Sequence, residues 1–221
     1  MTQDRIMLSP RLQAVASLIP PTELLVDVGS DHGKLGAYCL RERICNRLIA
    51  TDIHAAPAER TGQFLRLCGL EECSEVVCTD GLSGISVPDR STIVIAGMGG
   101  LEIRKILQNF FEVSPAARVS LVLQPQRSFY ELREFLSQKG IPIEEEKIAC
   151  ERDRYYVVIR TKEPDKAYTL SKEELYLGPA LLRRKPELFP EYMAHQFQLM
   201  KKQALGNPDC AEILNKWEEL L

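Results

Sequence analysis

Residues 24–35 read LLVDVGSDHGKL, and the fold of the whole chain turns on them. Leu24, Leu25 and Val26 open an apolar run that continues past Asp27 and Val28 to Gly29. This predicts a buried parallel strand ending at a glycine. Ser30, Asp31, His32 and Gly33 follow, and then a helical stretch through Leu35, Tyr38 and Leu40. A strand, a glycine turn and a helix form the frame on which α/β proteins hold nucleotide-like ligands. The helix N-terminus offers unpaired N–H groups, and the glycine lets a ligand approach the backbone.

Glycine spacing separates the ligands. A dinucleotide fingerprint needs glycine at its first, third and sixth positions, but Asp31 and Lys34 hold the third and sixth. Gly29 and Gly33 stand at the first and fifth, with Asp27 two places before the first. That pattern fits the S-adenosylmethionine (SAM) loop of class I methyltransferases better. The alternative is an ordinary glycine turn in an α/β protein.

Composition sets the bounds. With 221 residues, 45% of them hydrophobic, the chain can build one good core and a small appended part. No run approaches the roughly 20 apolar residues of a membrane span. The opening MTQDRIML carries no signal-peptide pattern. The seven cysteines include no C-x-x-C pair, so no zinc spacing is present and no metal is expected. They read as small hydrophobes in a reducing cytoplasm. A net charge of −3 argues mildly against nucleic acid unless basic groups gather on one face.

On the N-terminal side, Leu8, Leu12, Val15 and Ile19 form one stripe of a helix with Ser9 as N-cap and Pro10 at its first position. On the C-terminal side, residues 47–52 predict a second strand ending in Asp52. An acid there takes ribose hydroxyls in such folds, or caps the helix that starts near Ala55. That helix runs to Cys68 and closes at Gly69. A short third strand, Val76 to Cys78, leads to Asp80 and Gly81. The pair is a turn signal, and in this fold an acid after the third strand sits beside the cofactor's adenine. Residues 91–96, STIVIA, are the best central strand, followed by Gly97-Met98-Gly99-Gly100 and a helix with Ile103, Ile106, Leu107 and Phe110 on one face. So many glycines imply a sharp turn or a backbone that must approach a ligand. Methyltransferases of adenine amino groups carry an Asn-Pro-Pro-Tyr type motif here. Its absence points to a target atom other than an exocyclic amine.

A fifth strand at 119–123, a helix at 130–139 and two strands at 141–150 and 155–161 complete the order of a seven-stranded methyltransferase sheet. After residue 163 the pattern becomes helical. Ser171 and Glu174 form a capping box, and two amphipathic stripes flank a break at 206–209. The expected division is a SAM-binding domain over residues 1–163 and a C-terminal helical domain over 164–221.

The residues LSPRLQAVASLIP (8–20), DVGSDHGKL (27–35), Asp80-Gly81-Leu82, IAGMGG (95–100), LQPQ (123–126) and LGPALL (177–182) together resemble the bacterial tRNA (adenine-22 N1)-methyltransferase family, TrmK. The resemblance spans nearly the whole chain. It implies an α/β, Rossmann-like class I SAM-dependent methyltransferase sheet with a coiled-coil-like helical C-terminal domain, acting in the cytoplasm on N1 of adenine 22 of tRNA. Two positions depart from the family pattern. Ala56 stands where a glycine before the proline is common, and Gln126 stands where asparagine is frequent, on the expected edge of the target pocket.

On this reading Gly29 and Gly33 make room for the methionine part of SAM, and Asp27 or Asp31 meets its ammonium. His32 bonds the cofactor or the base, or is structural. Asp52 takes the ribose, and Asp80 with Gly81 takes the adenine. The catalytic expectation falls on Asp31 and on the carbonyls of Gly97, also beside the cofactor, and Met98, which would stabilise charge on the methylated base. N1 already has a lone pair, so no base is needed before attack. The tRNA contacts expected are Arg11, Gln124, Arg127, Arg183 and Arg184, with Arg5, Arg104, Lys105, Arg152, Arg154 and Lys185 as further basic groups. Two alternatives stay open: a SAM-dependent enzyme acting on a small molecule, and a non-catalytic SAM- or RNA-binding module.

Overall fold

The computed structural model describes residues 6–221. Arg5 lies outside them. Seven strands form one sheet: β1 (Thr22–Val28), β2 (Cys45–Asp52), β3 (Ser74–Cys78), β4 (Thr92–Met98), β5 (Ser120–Pro125), β6 (Ile143–Glu151) and β7 (Arg154–Thr161). Their order is β3-β2-β1-β4-β5-β7-β6. The first five are parallel, and β7 runs antiparallel to both β5 and β6. The chain builds outward from β1 to β3, then crosses back to place β4 on the other side of β1. Where the order reverses, the loops after β1 and β4 part and leave a crevice at the carboxyl ends of the strands.

Each strand feeds two layers by alternation. Leu24, Val26 and Val28 face one core with Ile93, Ile95, Leu121 and Leu123, covered by α4 (Gly100–Val113) and α5 (Phe129–Gln138). Leu25 faces the other with Leu48, Val94, Val122 and Val158, covered by α1 (Pro10–Leu18), α2 (Lys34–Arg41) and α3 (Ala55–Leu67). Each fully buried Leu or Ile contributes roughly 1.5–3 kcal/mol, so the central strands anchor everything attached to their ends. α1 is capped as its sequence predicts: the Ser9 hydroxyl accepts the Leu12 N–H at 3.4 Å, with Pro10 in its first turn. The two-residue turn between β6 and β7 holds Arg152 at φ 51° and Asp153 at φ 60°. This pair of left-handed residues makes a tight hairpin whose twist matches its strands.

The tail comprises α6 (Lys172–Leu177), α7 (Pro179–Arg184), α8 (Phe189–Gln203), α9 (Pro208–Asn215) and α10 (Trp217–Leu220). The Ser171–Glu174 capping box is present. Leu177, Leu181, Phe189, Met193, Met200, Ile213 and Trp217 join the same core as α4 and α5. The attachment is also ionic. Arg133 of α5 and Glu146 of β6 are fully buried, with two N–H groups of Arg133 on Glu146 Oε1 at 2.8 and 3.0 Å. Arg133 Nη1 also donates to the carbonyls of Leu175 and Tyr176 at 2.9 and 3.1 Å. Glu146 Oε2 accepts the N–H groups of Ala180 and Leu181 in the first turn of α7, at 2.9 and 3.3 Å. The pair therefore supplies the end groups that two tail helices cannot satisfy themselves. Gly178 stands at φ 105°, where a Cβ would lie 2.6 Å from Glu146 Oε2, so the LGPALL segment needs its glycine. Among the described residues no helix is long and apolar enough to cross a membrane.

Candidate active site

The carboxyl ends of β1 to β4 enclose a cleft of about 600 Å³. Each strand delivers one segment to it: Asp27, Gly29, Asp31 and His32 from β1, Asp52 from β2, Asp80 and Gly81 from β3, and Gly97 and Met98 from β4, with Arg11 reaching in from α1.

Asp27 is buried at 4% exposure. Burial pushes its carboxyl up to about 7, opposed by a hydrogen bond from the Gly36 backbone N–H in the first turn of α2. Charging this group is therefore costly until a cation arrives beside it. Asp31 sits on the rim at φ 53°, with Arg60 Nη2 at 3.4 Å and His32 Nε2 at 3.5 Å. Gly29 has φ 73°, and a Cβ there would collide with Met98 Cε, so the methionine side chain lies over the glycine. Asp52 Oδ1 accepts the His54 N–H at 3.1 Å, and His54 rather than Asp52 is the N-cap residue of α3. Gly81 has φ 59°, and a Cβ there would come within 3.0 Å of Ile106 Cγ2. Its carbonyl accepts the Thr51 hydroxyl at 2.9 Å.

The pairing of β4 with β5 steps from Ala96–Gln124 to Met98–Pro125, so Gly97, at φ 84°, is a bulge outside the ladder. The Met98 carbonyl accepts the Gln126 N–H at 2.9 Å. Of the two expected carbonyls, that of Met98 is therefore engaged by the β5–α5 loop. Arg11 is fixed beside Gly97: Nη1 donates to Gln124 Oε1 at 2.9 Å, the guanidinium lies 5.8 Å from the Tyr156 ring centre, and a Cβ on Gly97 would be 3.5 Å from Nη1.

Several expected residues lie elsewhere. Gly33 is buried, and a Cβ on it would meet Thr61 Cγ2 at 2.9 Å, so its smallness serves the packing of α3 rather than ligand access. Gln124 is fully buried and acts through Arg11. Arg127 borders a neighbouring cavity. Arg183 and Arg184 are not brought to the cleft mouth. They lie on α7 beside β6, where Arg184 pairs with Glu145 at 3.1 Å, and Glu145 lies opposite Arg160, toward the far end of the strands.

Sequence reasoning missed Thr61, which holds the glycine loop. Its hydroxyl donates to the Asp31 carbonyl at 3.2 Å and lies 3.1 Å from the Ser30 hydroxyl. It also missed the apolar walls Ile53 and Ile106. Ile53 carried a signal, an isoleucine directly after a strand-ending acid, left 58% exposed. Nor was the neighbouring cavity foreseen. It measures about 880 Å³, lies between the β5–α5 loop, the start of β7 and α8, and shares Gln126 with the cleft.

Residues 8–159 match the model of the methyltransferase domain family. A tRNA (adenine(22)-N(1))-methyltransferase of Bacillus subtilis (strain 168) is 30% identical over 200 residues, spanning 88% of this chain and 83% of its own. A Streptococcus pneumoniae protein solved in complex with S-adenosyl-L-methionine is 26% identical, with a TM-score of 0.86 over 97% of this chain and 100% of its own. The crystal structure of the B. subtilis m1A22 tRNA methyltransferase TrmK is 27% identical, with a TM-score of 0.77 over 97% and 95% of the two chains.

Proposed function

Because this chain belongs to the methyltransferase-domain family and, within it, to the tRNA (adenine-22 N1)-methyltransferases, we propose that its cleft binds SAM and directs the methyl group to N1 of adenine 22 of a bacterial tRNA. The carrying observation is the convergence of Asp27, Asp31, Asp52 and Asp80 on one cleft at the reversal of the sheet. SAM bears a sulfonium and an ammonium, and such a rim suits a cation. Gly81 lines the cleft beside the Ile106 wall, which fits a flat ring lying there.

Bound SAM supplies an electrophilic methyl group, and the protein's part is to hold the two reactants in line. Asp27 meets the ammonium and is charged by it. Asp52, with Oδ1 engaged by His54, offers Oδ2 to the ribose hydroxyls. Asp80 and the Gly81 backbone hold the adenine edge, between apolar walls from Ile53 and Ile106. Thr61 and Gly33 keep the β1 loop in register for these contacts.

The target adenine must leave its stack, at a cost of a few kcal/mol. Its N1 lone pair needs no deprotonation, so alignment is the main catalytic work and can supply ~7–11 kcal/mol. The product base is a cation. Gly97 lies at the register step of β4 and lines the cleft, and its carbonyl is our candidate to receive that charge. Asp31 shares its charge with Arg60 and His32 and acts at the rim. Arg11 would repel a cationic base, so its fixed guanidinium suits a phosphate of the turned-out nucleotide. Its work then lies in the cytoplasm, where tRNA is matured.

Labelled SAM is offered to unmodified tRNA with adenine at position 22 and to a guanine-22 variant. Label in 1-methyladenosine from the first alone is the expected result. No label in either tRNA, with SAM binding intact, overturns the assignment and leaves a small-molecule substrate or a non-catalytic role.

A further inference from the structure

The second cavity has a chemistry opposite to that of the cofactor cleft. Arg127 and Arg154 stand exposed on its rim, and Glu131 is the one acid among its described lining residues. Its walls are aromatic. Tyr155 is half-buried, with the His195 ring centre at 5.4 Å and Tyr192 at 6.3 Å, while Tyr130 and Tyr176 meet at 4.9 Å on the far side. Side-chain amides of Gln126, Gln196 and Asn207 complete the lining. A SAM-like cation would meet two exposed arginines here and a single acid, where the cofactor cleft gathers four aspartates. A flat base with a phosphate attached has all of its partners: rings for the base, amides for its edges, and guanidinium groups for the phosphate.

The fold explains why the two sites adjoin. Because β7 is antiparallel to β5, with Leu123 opposite Ile159, its first residues emerge at the same edge as the ends of β4 and β5. Tyr155 and Tyr156 therefore stand next to the cleft, and Gln126 lines both cavities. Arg11 lies over Tyr156 on the boundary between them.

We propose that this cavity is a second nucleotide subsite, which stacks the base flanking the target adenine on Tyr155 and holds its phosphate between Arg127 and Arg154. The proposal rests on the tRNA methyltransferase reading above. Turning the target out of the helix strips its neighbour of a stacking partner, and the tyrosine face replaces that partner. The cavity then decides which unpaired strand the enzyme accepts, and the cleft decides what is done to it.

The test uses the full-length enzyme and tRNA carrying 2-aminopurine immediately 5′ or 3′ of the target. Wild-type binding should quench the probe at one of the two positions. Tyr155→Leu should abolish that quenching and raise the tRNA KM by roughly 5- to 150-fold, with SAM affinity unchanged, and Tyr155→Phe should restore both. His195→Ala, at an exposed helix position, should raise KM in the same direction and stands in if the leucine variant loses SAM binding. An enzyme that methylates tRNA yet quenches neither probe, or whose KM ignores both replacements, overturns the subsite and leaves the reaction assignment standing. Failure of the wild type to methylate adenine-22 tRNA shows before any variant is made, and removes both.

Discussion

Replacing Arg133 with methionine tests how the tail is fastened to the sheet. In the folded protein the Glu146 carboxylate is out of water, held by two N–H groups of Arg133 and by the N–H groups of Ala180 and Leu181. Methionine fills much of the same space but leaves that carboxylate without its counter-charge and the carbonyls of Leu175 and Tyr176 without a donor. Breaking one side of a buried pair costs roughly 3–5 kcal/mol, a large share of the ~5–15 kcal/mol that holds a domain folded. At ~2–4 °C per kcal/mol for a chain of this size, Tm should fall by about 6–20 °C. Trp217 is the only tryptophan, buried in the tail with its ring 4.9 Å from Phe197. Its fluorescence in urea therefore reports the tail, while circular dichroism reports the whole chain. Adding Glu146→Leu removes the stranded charge, so the double variant should be more stable than the summed single losses by ~2 kcal/mol or more. If Arg133→Met costs under ~1 kcal/mol, or if the two replacements simply add, the pair does not fasten the tail and the reasoning fails.

With Asp27 at the ammonium, as proposed, SAM binding becomes pH-dependent. The raised carboxyl must ionise to meet the ammonium, so affinity should climb from pH 6 to 8 by calorimetry and the climb should flatten in Asp27→Asn. In the free protein the sign is opposite: a raised folded pKa means stability falls as pH rises from about 4 to about 7, and the urea midpoint of Asp27→Asn should lack that fall. Thr61→Val removes both hydroxyl contacts to the glycine loop, so Tm should fall by about 2–8 °C and SAM binding should weaken as the loop loosens; unchanged affinity would show that the loop holds itself. Replacing Arg127 and Arg154 with alanine should lower the slope of log tRNA affinity against log salt by roughly 1.4. The same change at Arg183 and Arg184 should leave it within error, and the reverse ranking would move the RNA path onto α7.

The sheet was legible because its central strands are buried on both faces. The apolar runs at 24–28, 47–52 and 91–96 carry that in plain sequence, and β1, β2 and β4 follow them to within a few residues. The cleft was legible for the same reason, since its acids and glycines stand at strand ends. The fastening of the tail was not legible. Nothing in the run Glu144, Glu145 and Glu146 marks the third, yet it is buried against an arginine 13 residues earlier in a helix. Spacing also cannot say which of two glycines lines the cleft: Gly29 does, and Gly33 packs on Thr61. The second cavity draws on residues from 125 to 207 that share no local pattern, and only the reversed direction of β7 gathers them.

The Arg133–Glu146 pair also constrains the order in which the protein is made. All seven strands have been synthesised by residue 161, but the N–H groups and carbonyls that complete the pair belong to residues 175–181. Until that stretch leaves the exit tunnel, the nascent sheet carries two half-satisfied charges beneath its outer strand. A gene cut after codon 163, at the apparent seam between sheet and tail, would therefore yield a product arrested at that stage. The burial of this salt bridge is thus completed by residues translated after both of its members.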